Sequence, residues 1–178
     1  MKGIMWIVLT CIVIICSCSK IDKSSAGVRV DDVSVDPEEF LNFDNTRKQS
    51  NAHSGEFYNS VDSTTIYGIG HIKKIADTMQ GYALDICVSA WVREIMAPSE
   101  GAIAVSLNKK NGENKGWTGV KIKAENFKLN EWIFVTDTFK YDAAFMSDID
   151  EIRIFAMKQN GSDSFDVDNL KIKYISHK

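Results

Sequence analysis

A tryptophan carried on a strand, with charges and hydroxyls at alternate positions beside it, is the pattern from which a protein builds a sugar platform. The segment Tyr82–Arg93 (YALDICVSAWVR) has that pattern. Tyr82, Leu84, Ile86, Val88, Ala90 and Val92 recur with period two, and Asp85, Cys87, Ser89, Trp91 and Arg93 fall between them. Successive side chains of a strand point to opposite faces, so the apolar set shares one face and Asp85, Ser89, Trp91 and Arg93 share the other. If the apolar face packs on a core, Trp91 looks outward beside a carboxylate, a hydroxyl and a guanidinium. An indole plane stacks on the C–H side of a pyranose, and polar neighbours take the sugar hydroxyls. A loop laid over Trp91, or a strand buried on both faces, would give the same pattern with no ligand. Trp117, after Asn111-Gly112 and Lys115-Gly116, is a second candidate of this kind, on a loop or at the start of a strand. Trp132 lies in a β-branched and aromatic run and is expected in the core.

Catalytic patterns are missing by contrast. His53, His71 and His177 have no metal-ligand spacing. Ser54 adjoins His53, and neighbours in sequence do not form a nucleophile and its base. No nucleophile elbow, phosphate-binding loop or dinucleotide fingerprint is present. A glycosidase needs two carboxylates across a cleft, but 24 acidic residues would always supply some pair. The chain is therefore expected not to be an enzyme. Its 21 basic residues form no stripe, which argues against nucleic acid as a partner.

The elements that must carry these residues are strands. Period-two or β-branched runs occupy Thr65–Ile75, Ala102–Leu107, Gly119–Ala124, Trp132–Phe139, Glu151–Met157 and Phe165–Ile175, with weaker candidates at Phe40–Phe43 and Glu56–Ser60. Two glycines in Thr65–Ile75 suggest a bulge. Turn residues punctuate the runs at Pro98–Gly101, Lys110–Gly112 and Asn160–Asp163. A single helical turn is expected at Asp142–Met146. Short strands at this spacing make an all-β sandwich or barrel.

Three places resemble the jelly-roll β-sandwiches of carbohydrate-binding modules and galactose-binding-like domains. Phe43-Asp44 followed by Ala52-His53-Ser54-Gly55-Glu56-Phe57 is similar to the Ser-Gly strand opening found early in those modules. Asn130–Val135 resembles their Gly-x-Trp strand, and Phe165–Leu170 their terminal strand with its acidic pair. The likeness spans about residues 40 to 176. It implies two antiparallel sheets, a glycan or polysaccharide ligand on a concave sheet, and a structural calcium ion where the two ends of the fold meet. Asp44 and Asp168 would hold that ion, with Glu56 and Asp166 as further ligands. Calcium takes six to eight oxygens, and exported proteins tolerate weak sites for it.

The amino terminus sets the location. Met1-Lys2-Gly3 precedes an apolar run from Ile4 to Cys16 broken only by Thr10. Such a run matches a signal peptide and is too short for a comfortable membrane span. Ile15-Cys16-Ser17-Cys18 resembles the lipobox of bacterial lipoproteins. That implies cleavage after Ser17, lipidation of Cys18 and attachment to a membrane through the acyl chains, which anchor stably when there are two or more. Ser19 in place of Asp implies passage to the outer membrane, on its periplasmic or its cell-surface face. Residues 1–17 are thus a signal peptide, 18–30 a lipidated flexible tether, and 31–178 the sandwich. Cys11 and Cys16 leave with the signal, so Cys87 remains as a lone thiol and no disulfide scaffold is expected. The function this sequence predicts is a non-catalytic carbohydrate-binding lipoprotein of the cell envelope. The alternative is a structural or interaction lipoprotein with an envelope protein as its partner.

Overall fold

The computed structural model describes residues 27–40, 46–48, 52–76, 80–95, 100–123, 128–160 and 164–178. The signal peptide, Cys18 and Asp44 lie outside the described residues. Alternating sequence becomes strand wherever one face finds a core. The described strands are β1 (Val28–Val35), β2 (Thr46–Lys48), β3 (Phe57–Val61), β4 (Tyr67–Lys74), β5 (Ala83–Glu94), β6 (Glu100–Lys109), β7 (Asn114–Lys123), β8 (Trp132–Tyr141), β9 (Ile149–Asn160) and β10 (Phe165–His177). The expected helical turn is α1 (Ala143–Met146), where the Asp142 carboxylate accepts a hydrogen bond from the Phe145 N–H at 2.7 Å and caps the first turn. It drops Met146 into one end of the core.

The strands form two antiparallel sheets packed face to face as a jelly-roll β-sandwich. The six-stranded sheet runs β2-β3-β10-β5-β8, with β1 on the same side of β10 as β3. The four-stranded sheet runs β4-β9-β6-β7. Between them lie Leu84, Ile86, Val88, Ala90 and Val92 of β5, Ile103, Val105 and Leu107 of β6, Ile152, Ile154 and Ala156 of β9, and Phe165, Val167, Leu170, Ile172 and Tyr174 of β10, all buried. The apolar face of Tyr82–Arg93 is thus the core face. A register shift between Tyr67 and Gly70 marks the bulge that the glycines of β4 suggest.

Several elements differ from the sequence expectation. Strand β1 begins at Val28, within the stretch read as tether, and pairs with β10 from Val28 opposite His177 to Val35 opposite Leu170. Its apolar residues change phase at Asp31-Asp32: Val28 and Val30 lie on one face and Val33 and Val35 on the other. That switch hides the period. The weak strand at Phe40–Phe43 is replaced at its start by a 3₁₀ turn over Pro37–Phe40. Strand β7 starts five residues before Gly119, so Trp117 is a strand residue.

Candidate functional site

Alternation places Trp91, Ser89, Cys87 and Asp85 on the outer face of the six-stranded sheet, away from the core. Antiparallel pairing puts Trp132, Phe134, Thr136, Thr138 and Lys140 of β8 beside them, opposite Arg93, Trp91, Ser89, Cys87 and Asp85 respectively. On the other flank β10 brings Lys171 opposite Ser89 and Lys173 opposite Cys87. Strand β1 then adds Ser34 opposite Lys171 and Asp32 opposite Lys173.

One end of this face is sealed. Arg93 and Asp166 form an ion pair, with Nη2 2.6 Å and Nε 3.1 Å from Oδ2, and their side chains are 4% and 2% exposed. The guanidinium carbon lies 4.6 Å from the Trp132 ring centre and 5.0 Å from that of Tyr58. Aromatic faces stabilise a desolvated cation, which helps this pair persist out of water. Residues 52–56 cross above it. His53 stacks on Trp91 with ring centres 3.8 Å apart and planes at 15°, and meets Trp132 edge-on at 6.1 Å. The segment is fixed by a hydrogen bond from the Ser54 N–H to Asp168 Oδ2 (3.0 Å) and one from the Asn169 amide to Ser54 Oγ (2.6 Å). Glu38 Oε1 accepts from the N–H groups of Glu56 (2.8 Å) and Phe57 (3.3 Å). Gly55 sits at φ +61°, and a Cβ there would displace the Glu38 carboxylate from its hydrogen bonds, so glycine is favoured at this crossing.

The remainder of the face is open. A trough of about 480 Å³ runs across β1, β10, β5 and β8, floored by Ser34, Lys171, Ser89 and Thr136 in one row and Asp32, Lys173, Cys87 and Thr138 in the next. Phe134, 50% exposed, stands at its sealed end 5.4 Å from Trp91. Charges around it are mostly matched: Lys173 Nζ is 3.5 Å from Asp32, and His177 Nε2 is 3.2 Å from Asp85 one row further on. This surface combines an exposed aromatic ring with four hydroxyls and two lysines, the chemistry that a sugar requires.

The sequence-predicted residues divide accordingly. Ser89 lines the trough, and Trp91 is half-buried at its margin beneath His53. Asp85 lies beyond the lining residues, in hydrogen-bond contact with His177 Nε2. Arg93 is a correction: it is on the expected face but buried with Asp166, so its guanidinium is not presented to a ligand. Trp132, expected in the core, instead covers Arg93 on the outer face. Trp117 is 54% exposed but lies opposite Ser106, which pairs with Arg153, on the outer face of the other sheet. The two candidate tryptophans therefore cannot serve one ligand. Sequence reasoning missed Phe134, Thr136, Lys171 and Ser34. The first three follow from strand register, which single-strand periodicity does not supply; Ser34 was lost with β1.

Asp168 lies where the two ends of the fold meet. It is fully buried, and its Oδ1 has no hydrogen-bond partner. Burial raises its pKa against the backbone hydrogen bonds that lower it, and the nearby Glu38 charge raises it further. Beside it, a side-chain hydrogen bond with Glu38 together with burial pushes Asp36 up to about 6, while the same bond holds Glu38 below its ordinary value. An orphaned, buried carboxylate oxygen among acids suits a cation ligand. The Glu56 carboxylate is exposed, and what Glu56 gives this corner is an N–H to Glu38. Asp166 is committed to Arg93. Among the described residues no three His, Cys, Asp or Glu side chains are arranged to hold a metal ion.

The opposite face has a different character. A second trough of about 520 Å³ on β4, β9 and β6 is lined by Tyr67, Gly70, Ile72, Ser106, Arg153 and Phe155 among others. Tyr67 and Ile72 are 57% and 60% exposed.

No family model matches the chain, and no curated protein matches its sequence. Solved structures do share its architecture. The CBM22-2 xylan-binding domain from Paenibacillus barcinonensis Xyn10C aligns with a TM-score of 0.51 at 13% identity, over 82% of this chain and 99% of that one. A chain of the T13 IBDV viral particle aligns with a TM-score of 0.52 at 12% identity, over 85% of this chain and 32% of that one. At such identities the likeness shows the sandwich fold alone, and the expected resemblance to carbohydrate-binding modules is met at that level.

Proposed function

We propose that this protein is a non-catalytic glycan-binding β-sandwich that holds polysaccharide at the cell envelope. The observation that carries the reading is the open trough on the six-stranded sheet, where Phe134 and the margin of Trp91 adjoin the hydroxyls of Ser34, Ser89 and Thr136. An aromatic ring supplies the apolar contact and the hydroxyls orient a sugar. The fold shared with a xylan-binding domain supports the same reading. Ser89 and the margin of Trp91 contribute from β5, with Asp85 a row beyond the trough; Arg93 acts from beneath, by holding Trp132 and Tyr58 in place. Attachment is through lipid on Cys18, in an outer-membrane lipoprotein. Among the described residues no helix is long and apolar enough to cross a membrane.

A glycan array probed with the full chain in mild detergent and millimolar calcium tests the reading, with Phe134→Ala in parallel. Binding to a defined glycan class, weakened about tenfold or more in the variant, is the expected result. Silence across plant, host and microbial glycans would overturn it. Palmitate labelling that disappears in Cys18→Ala tests the anchor.

Calcium is proposed as a structural ion only. Asp168 Oδ1 would supply one oxygen, with Asp36 and Glu38 near enough to add charge and backbone oxygens completing the shell. A melting temperature that rises with calcium in the wild type, but not in Asp168→Asn, is the expected outcome; indifference of the wild type to calcium and chelator would remove the ion from the account.

The second reading, a protein-docking lipoprotein, is favoured by one observation: the exposed Tyr67 and Ile72 on the opposite sheet. It predicts that substitutions there abolish capture of an envelope protein while the Phe134 face is without effect.

A further inference from the structure

The charge pattern of the trough selects among glycans. Lys171 rises from the middle of its floor, on a strand flanked by β1 and β5, with Ser34 and Ser89 as its direct cross-strand neighbours. Both flanking residues in its row are hydroxyls and neither is an acid. Lys173, two residues on, is matched by Asp32, and Asp85 lies a row further along, against His177 Nε2. Lys171 is exposed and makes no hydrogen bond or ion pair with any described residue. The lining residues Asp32, Lys171 and Lys173 thus leave one net positive charge in a concave site.

We propose that the ligand of this trough is an anionic polysaccharide, a polyuronate whose carboxylate seats on Lys171 beside the Ser34 or the Ser89 hydroxyl. This rests on the glycan-binding reading above. A carboxylate accepts from the ammonium and from one flanking hydroxyl, and charge-assisted bonds of that kind are the stronger ones. Phe134, two strands and roughly 10 Å away across the sheet, seats a different sugar of the same chain. A single unmatched lysine engages one uronate carboxylate at a time, whereas binding to the phosphates of a nucleic acid draws on many cations.

Calorimetric titration of the full chain decides this, using polygalacturonate, alginate and glucuronoxylan, each against the same polymer with its carboxyls methyl-esterified. The wild type is expected to bind at least one acid form about tenfold or more tightly than its ester, and progressively less tightly as salt is raised. Lys171→Gln should bind acid and ester alike, at the level of the ester, with an unchanged melting temperature. Lys171→Arg should retain the preference. Equal binding of acid and ester by the wild type, or a preference that survives in Lys171→Gln, would overturn the anionic assignment and leave the glycan reading standing. Binding of neutral glycans alone would do the same. Failure to bind any glycan would overturn both.

Discussion

The two halves of the outer face on the six-stranded sheet are built from the same strands, β10, β5 and β8, yet one is sealed and the other open. In the sealed half, Arg93, Asp166, Tyr58 and Trp132 make a small second core outside the sandwich, roofed by His53 and Ser54. In the open half, the same alternation presents Ser89, Thr136 and Lys171 to solvent. The sealed half is organised around a desolvated charge pair and depends on its partners; the open half has unspent hydrogen-bonding capacity. Stability is therefore expected to reside in the first and ligand recognition in the second.

The largest test of that division is Asp166→Ala. It takes the buried carboxylate away from the Arg93 guanidinium and should lower unfolding free energy by about 3–5 kcal/mol in urea titration. A loss below about 1 kcal/mol would mean that the sealed half is no core. His53→Ala removes the stack on Trp91 and should cost about 0.5–1.5 kcal/mol, with a shift in Trp91 fluorescence as water reaches the indole. Asp36→Asn acts more gently and through pH. The folded-state pKa of Asp36, raised to about 6 from 3.8, means that its protonated form contributes stability fully below pH 4, a contribution lost as pH rises through about 6. Glu38 is shifted the other way, so its contribution is lost only as pH falls through its lowered value. The variant should flatten the decline between pH 4 and 6 seen by thermal melting of the wild type. Trp117→Ala should change neither stability, beyond about 0.5 kcal/mol, nor glycan binding, because Trp117 lies exposed on the other sheet. A loss of binding there would move the site across the sandwich.

How much of this could be read from sequence depends on what each residue's neighbours add. The face assigned to every residue of β5 is legible because its period of two runs unbroken for a dozen residues. Whether that face is covered is not legible, since the roof comes from residues 52–56, far away in the chain and without periodicity of their own. Trp91 meets both readings in part: it points outward, and a loop lies over it. Arg93 sits in an ordinary polar position of the alternation, and only Asp166 opposite it in β10 turns that position into a buried one. Strand β1 escapes notice because its valines switch faces at Asp31-Asp32. Trp117 was visible as an exposed aromatic, but the sheet it belongs to is set by pairing partners that no local window contains. The resemblance to other modules points to Asp168; its orphaned oxygen and the acids beside it come from the folded chain.

The position of β10 has a consequence for the order in which the molecule can be made. It pairs with β1, β3 and β5, and is the partner that joins the first two to the six-stranded sheet. It also follows all of them in the chain. Until residues 165–177 have been synthesised, β1 lacks its ladder and the segment that roofs Arg93 lacks Asp168 to hold it. A chain that emerges from its amino end is thus kept from closing the sandwich early, and the six-stranded sheet is completed only when its last strand arrives.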